Sequence, residues 1–174
     1  QVARDRQAAL ELGLEGAPET FVNGRHLGPV RFVDDAAVVV REEIERARAL
    51  HASGVSKADL YAKLVETGEA RLPGARTARR KVLDPGAVYD LPVGEGEPVL
   101  GPADALATIV FFFDFECPFS ARTFFALEKL RAANPERVRV VFRMRPDASH
   151  PHAEAAARVA LAAAELGAFE KYAR

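Results

Sequence analysis

The sequence predicts an α/β fold, a central mixed sheet flanked by helices, and three observations carry that reading. Two short β-prone runs, Thr20-Phe21-Val22 and Arg25-His26-Leu27, flank Asn23-Gly24. Asn-Gly is the strongest short hairpin signal, because both turn residues need positive φ. Val40, Ile44 and Ala47 then recur at helical spacing. Finally, Thr108 to Phe113 is a continuous apolar run of the kind found in parallel strands buried on both faces, and a second strand-like run follows at Val138 to Met144.

Taken in order, Gln1 to Leu14 reads as a helix with Ala8, Ala9 and Leu12 on one face, stopped by Gly13. Gly16-Ala17-Pro18 is a tight turn before the hairpin. Asp34 or Asp35 is expected to cap a helix reaching about Ala52 and ending before Gly54. Ser56 and Asp59 have capping-box spacing for another helix through Leu60, Leu64 and Val65 to Gly68. From Glu69 to about Gly101 Pro and Gly recur, Arg76, Arg79 and Arg80 cluster, and apolar periodicity disappears. This reads as a linker with one short strand candidate at Ala87 to Leu91. Beyond the Thr108 strand, a helix is expected from about Phe119 to Ala133, the Val138 strand next, and an Ala-rich helix from His150-Pro151 to Leu166. Another helix begins around Phe169.

The chain of 174 residues is long enough for a well-buried core, and its formal net charge is −1. That balance argues against a general nucleic-acid binder, which needs Lys and Arg in excess on one face. No run approaches the roughly 18 apolar residues of a membrane span. No signal peptide is read at Gln1, and the opening within a helix fits a mature form or an excised piece. A single Cys excludes an internal disulfide and a multi-Cys zinc site. His150 and His152 flank Pro151 but lack convincing further ligands, so they read as a helix start and no metal is expected. His26 and His51 stand isolated, and the three clustered arginines read as a solvated face.

The candidate chemistry lies in Phe113-Asp114-Phe115-Glu116-Cys117-Pro118-Phe119-Ser120. An apolar strand ends, a short turn follows, and Cys117 stands where a helix begins. Unsatisfied N–H groups and the positive dipole end favour thiolate there. Pro118 fits the first turn, where its missing N–H has no partner to lose. Cys117 is therefore expected to be partly exposed and acidified. Asp114 and Glu116 are expected to face solvent and to oppose that effect through their charge. Phe119 and Phe124 are candidates for the border of a peptide groove.

The segments TIVFFFDFECPFSARTFFALEKL, VRVVFRMRP and HPHAEAAARVALAAAELGAFEKY resemble the first half of a DsbA-family thiol-disulfide oxidoreductase domain. The first 50 residues, with LGLEGAPETFVNGRHLGPV, resemble the second half. The resemblance implies a thioredoxin-like fold that is circularly permuted or assembled from two half-domains, with a helical insertion. Residues 1–54 would be the C-terminal half, 55–107 a helix and linker, and 108–174 the N-terminal half. It also implies a cis Ala17-Pro18 bond facing Cys117, with Cys117, Pro118 and Ser120 catalytic and Ala17, Pro18 and Phe119 binding substrate.

Two positions depart from the family. Ser120 stands where the family has its second Cys, and a hydroxyl cannot resolve a mixed disulfide. Phe111 stands where thioredoxin-like enzymes often bury a carboxylate. The resemblance then implies a monothiol protein forming mixed disulfides with protein or peptide substrates. It admits glutathione as co-substrate and needs no other cofactor. The alternative is a redox-inactive repeat serving peptide binding or assembly. A monomer is favoured over a domain-swapped dimer, no nucleic acid or membrane span is expected, and family resemblance suggests a periplasmic or extracytoplasmic location.

Overall fold

The computed structural model describes residues 1–14, 16–30, 32–66, 68 and 87–174. Helix α1 (Val2–Glu11) leads into β1 (Glu19–Val22) and β2 (Arg25–His26), followed by α2 (Val33–Ala52). A 3-10 turn (Lys57–Asp59) and α3 (Leu60–Val65) come next, then β3 (Val99–Leu100), β4 (Ala107–Phe113), α4 (Pro118–Ala133), β5 (Val138–Met144), α5 (Ala153–Glu165) and α6 (Phe169–Ala173). One sheet holds all five strands in the order β2-β1-β4-β5-β3. β1 runs antiparallel to β2 and β4, β4 is parallel to β5, and β3 is antiparallel to β5.

The β1–β2 turn fixes more than the hairpin. Asn23 and Gly24 take φ of 44° and 82°. A Cβ on Gly24 would also lie 2.5 Å from Tyr89 O, so two constraints require glycine. Asn23 is buried and makes three bonds, two to β4 and one to the residue just before it. Its N–H donates to Thr108 O at 2.9 Å, its side-chain oxygen accepts Thr108 N–H at 2.8 Å, and its amide donates to Leu106 O at 3.1 Å. Those bonds hold Val22 opposite Ile109.

The sheet separates two apolar layers. On one face Ile109, Phe111 and Phe113 of β4 join Val140 and Phe142 of β5 under α2, α4 and α5. On the other, Phe21, Val110, Phe112 and Val141 meet Ala9 from α1, Tyr61 and Val65 from α3, and Tyr89 and Leu91. β4 is buried along all seven residues, because both neighbours are strands and both faces are covered.

Several boundaries differ from the sequence reading. α2 begins at Val33, so Asp34 and Asp35 lie inside the helix and neither is its cap, and at Asp34 an acidic residue suits the dipole. Ser56 does cap, accepting Asp59 N–H at 3.3 Å, but α3 stops at Val65. α5 starts at Ala153, after a turn over Pro151 and His152. In the expected linker, Val88 only bridges Arg25, whereas Val99–Leu100 forms β3. Residues 69–86 of that linker, with Arg76, Arg79 and Arg80, lie outside the described residues.

Candidate functional site

Strand β4 ends at Phe113 and the chain turns through Asp114 to Cys117 before α4 starts at Pro118. Cys117 is the N-cap residue, with extended φ and ψ of −80° and 116°. Its N–H donates to Asp114 O at 3.2 Å and its carbonyl accepts Ala121 N–H at 3.2 Å. The Ala17–Pro18 bond is cis, and Ala17 O lies 3.7 Å from Cys117 Sγ. β1, paired with β4, places the Ala17 turn over the cysteine.

That arrangement corrects the expected environment of Cys117. The residue is 7 % exposed, not partly open, because the Ala17 carbonyl stands over its sulfur. A thiol here can donate weakly to that oxygen, but an incoming group has little line of approach. Ser120 is also buried, and its Oγ accepts Asp114 N–H at 3.2 Å, thereby fixing the turn. Pro118 is exposed at the first helical position, Pro18 is buried and Ala17 half-buried. Phe119 is 55 % exposed with the Arg122 guanidinium 5.9 Å from its ring centre. Phe111 belongs wholly to the core, its ring 5.3 Å from that of Phe113.

Asp114 was expected in solvent and is instead the buried hub of the turn. Its Oδ1 accepts Glu116 N–H at 2.7 Å, and Oδ2 accepts Asp147 N–H at 2.7 Å. His150 Nδ1 lies 2.8 Å from the same Oδ2. This hydrogen bond to Asp114 raises the imidazole pKa above its ordinary value, with Asp147 and Glu116 adding attraction. Glu116 accepts His152 N–H at 2.6 Å, making a second tie to the turn before α5. Asp147 accepts from the Ser149 hydroxyl and N–H at 2.6 and 2.8 Å, which lowers its pKa. Among the described residues no group of His, Cys, Asp and Glu could hold a metal ion.

A second carboxylate grips the start of this same segment. Asp5 on α1 is buried, and its Oδ2 accepts Met144 N–H at 2.8 Å at the end of β5. Burial is the largest cause that raises its pKa, to about 6, and Glu97 adds to it. The Met144 N–H, the Gln1 amide and Arg143 oppose the rise. Arg143 itself pairs with Glu97 at 2.9 Å and donates to Pro92 O at 2.6 Å. Sequence reasoning missed Asp5, Asp114 and His150 because each partner lies far along the chain. The one available signal was a carboxylate placed directly after a buried strand.

No family model and no solved structure matches the chain. It is similar to "Na(+)/H(+) antiporter NhaA 3" of Salinispora tropica, 39% identical over 116 residues, covering 64% of this chain and 18% of the antiporter. "Na(+)/H(+) antiporter NhaA 1" of Salinispora arenicola is 37% identical over the same length and shares. "Na(+)/H(+) antiporter NhaA" of Herminiimonas arsenicoxydans is 39% identical over 90 residues, 51% of this chain and 14% of its own. The chain thus spans less than a fifth of the length of these curated relatives.

These names overturn the identification as a DsbA-family thiol-disulfide oxidoreductase. The monothiol activity is corrected by the same finding, and nothing in it supports the alternative, a redox-inactive repeat for peptide binding or assembly. The periplasmic or extracytoplasmic placement, which rested on that resemblance alone, is corrected with it. The buried Cys117 adds a physical reason against ready disulfide exchange.

Proposed function

We propose that this chain is a domain of a sodium/proton antiporter that stands beside the ion path and adjusts transport to proton concentration. The observation that carries the reading is the similarity to antiporters over 64% of this chain and 18% of theirs. Among the described residues no helix is long and apolar enough to cross a membrane. The most apolar strand, β4, is covered by protein on both faces. The ion path then belongs to the remainder of a longer protein.

The proton dependence of this role rests on two contacts. Asp5 holds Met144 at the end of β5, and His150 holds Asp114 a few residues later. Both groups have raised pKa values, Asp5 at about 6 and His150 above its ordinary value, so acidification protonates both. Acidification charges His150 and strengthens its hold on Asp114, and alkalinity releases that hold, while protonating Asp5 relieves a buried charge and leaves a weaker acceptor for Met144 N–H. For the fold we propose a thioredoxin-like arrangement in permuted order, supported by the strand order β2-β1-β4-β5 and by helices on both faces.

The test is sodium-driven proton movement in everted vesicles carrying a full-length antiporter that contains this domain, with and without it. From about pH 6 to about pH 8, deletion should leave exchange present and shift its pH profile. Loss of all exchange at an unchanged amount of membrane protein would place the domain in the ion path. An unchanged profile would remove the regulatory role.

A further inference from the structure

The sheet has two edges, and they are finished differently. At β2, Arg25 bridges Val88, and Tyr89 N–H donates to Gly24 O at 2.8 Å. At β3, Phe142 N–H donates to Pro98 O at 2.9 Å, and the register sets Leu100 opposite Val140. Alternate residues of an antiparallel strand turn their backbone groups to the partner. Pro98 and Leu100 therefore face β5, and the N–H and C=O of Val99 point away from the sheet. Among the described residues neither group has a hydrogen-bond partner.

A cavity of about 290 Å³ lies along this edge. Val99 and Leu100 form one wall, Ala164 and Phe169 the other. Leu166, in the α5–α6 turn beside it, is 84 % exposed. Glu97, Glu165 and Glu170 also line the cavity, and no Lys or Arg does among the described residues. Glu97 is paired with Arg143, and Glu170 with Arg131 and Arg174. Glu165 is exposed and has no cationic partner among the described residues.

We propose that this edge binds an extended, basic segment of a partner protein, which adds a sixth strand beside Val99, seats an apolar side chain in the cavity and sets a Lys or Arg against Glu165. The outward N–H and C=O of Val99 fit an extended backbone, as in strand addition at other exposed sheet edges. The groove's apolar walls fit the side chain, and the lone Glu165 sets the sign of the charge. A second copy of this chain is the poorer occupant. Two β3 edges side by side would crowd the exposed Glu95 and Glu165 of both copies at one seam, and like charges across a strand pair are destabilising. The inference stands on the edge itself and does not depend on the antiporter assignment.

The experiment titrates the 174-residue chain with a fluorescein-labelled, acetylated peptide that alternates valine and lysine. Polarisation reads affinity and backbone amide NMR reads location. Saturable binding is expected, with shifts centred on Val99, Leu100 and Gly167. Glu165→Lys should weaken it about tenfold, the loss of roughly one charge-assisted contact. Val99→Pro, which removes the outward N–H, should weaken it by about the same factor. A peptide methylated on alternate backbone nitrogens should not bind. Shifts elsewhere, equal binding by Glu165→Lys, equal binding of the methylated peptide, no saturation at about 1 mM, or edge pairing with a second copy would each overturn the proposal. Should Val99→Pro fail to fold, the Glu165→Lys and methylated-peptide arms decide the matter.

Discussion

Asp114 organises the turn before α4 because it is both buried and fully engaged. Its two oxygens take two backbone N–H groups and the His150 ring nitrogen, each within 2.8 Å. Hydrogen bonds to charged groups contribute roughly 1.5–3 kcal/mol each, and donors left without an acceptor add their own cost. Asp114→Ala should therefore lower the unfolding free energy by about 3–5 kcal/mol, measured by urea denaturation at neutral pH. Asp114→Asn keeps one acceptor oxygen and should recover part of that loss. Equal stability of Asp114→Ala and the parent would mean the turn is held without it. A single residue type could not disclose this role in the sequence. A carboxylate after a strand reads as an exposed turn residue unless the partners, 33 and 36 positions away, are known. Cys117 shows the converse. Its helix-start position was legible, but the carbonyl covering it came from Ala17, 100 positions earlier.

Elements that follow one period over several residues were legible, and short ones set by a neighbour were not. β5 runs from Val138 to Met144 as read, and β4 differs from its reading only by Ala107. The hairpin was legible because Asn23-Gly24 leaves few other conformations. β3 was hidden, since two residues between Pro98 and Gly101 carry no period at all. Gly101 is what permits its close approach. It takes φ of 115°, and a Cβ there would lie 2.6 Å from Val138 O. The sequence also left open how β1 finds β4, and Asn23 answers that through its three bonds to residues 106 and 108. Asn23→Ala should cost about 3 kcal/mol, combining a buried donor and acceptor left unmet with the left-handed backbone. In native-state hydrogen exchange the same variant should loosen the amides of β1 more than those of β5, which pairs on β4's other side. A uniform loss along both strands would mean Asn23 sets overall stability and not the β1–β4 join.

At the scale of the whole molecule, the charged contacts give stability a direction with pH. Asp5 binds its proton more tightly folded than unfolded, since its pKa rises from 3.8 to about 6. It therefore favours the folded state below 3.8, and that favour is lost as pH climbs to about 6. His150 has the same sign. Its bond to Asp114 favours the imidazolium, so its contribution is complete below the ordinary 6.5 and is lost as pH rises through the raised folded value. Asp147, Glu154 and Glu170 run the other way. Hydrogen bonds from Ser149, Arg158 and Arg174 respectively lower their pKa values, so their help is lost as pH falls through them. Those carboxylates lie near the surface, where salt screens them, so their limb should be shallow and weaken further in high salt. Unfolding free energy should accordingly rise from about pH 8 down to about pH 5 and decline below about pH 4. Urea titrations at half-unit intervals would trace the curve. His150→Gln should flatten its limb above 6.5, and Asp5→Asn the limb between 3.8 and about 6. NMR titration of the His150 ring would locate the upper limb independently. A flat parent curve from pH 8 to pH 5, or two variants with the parent's slope, would mean that neither contact is linked to folding, and with them would go the proton-dependent hold on residues 144–150.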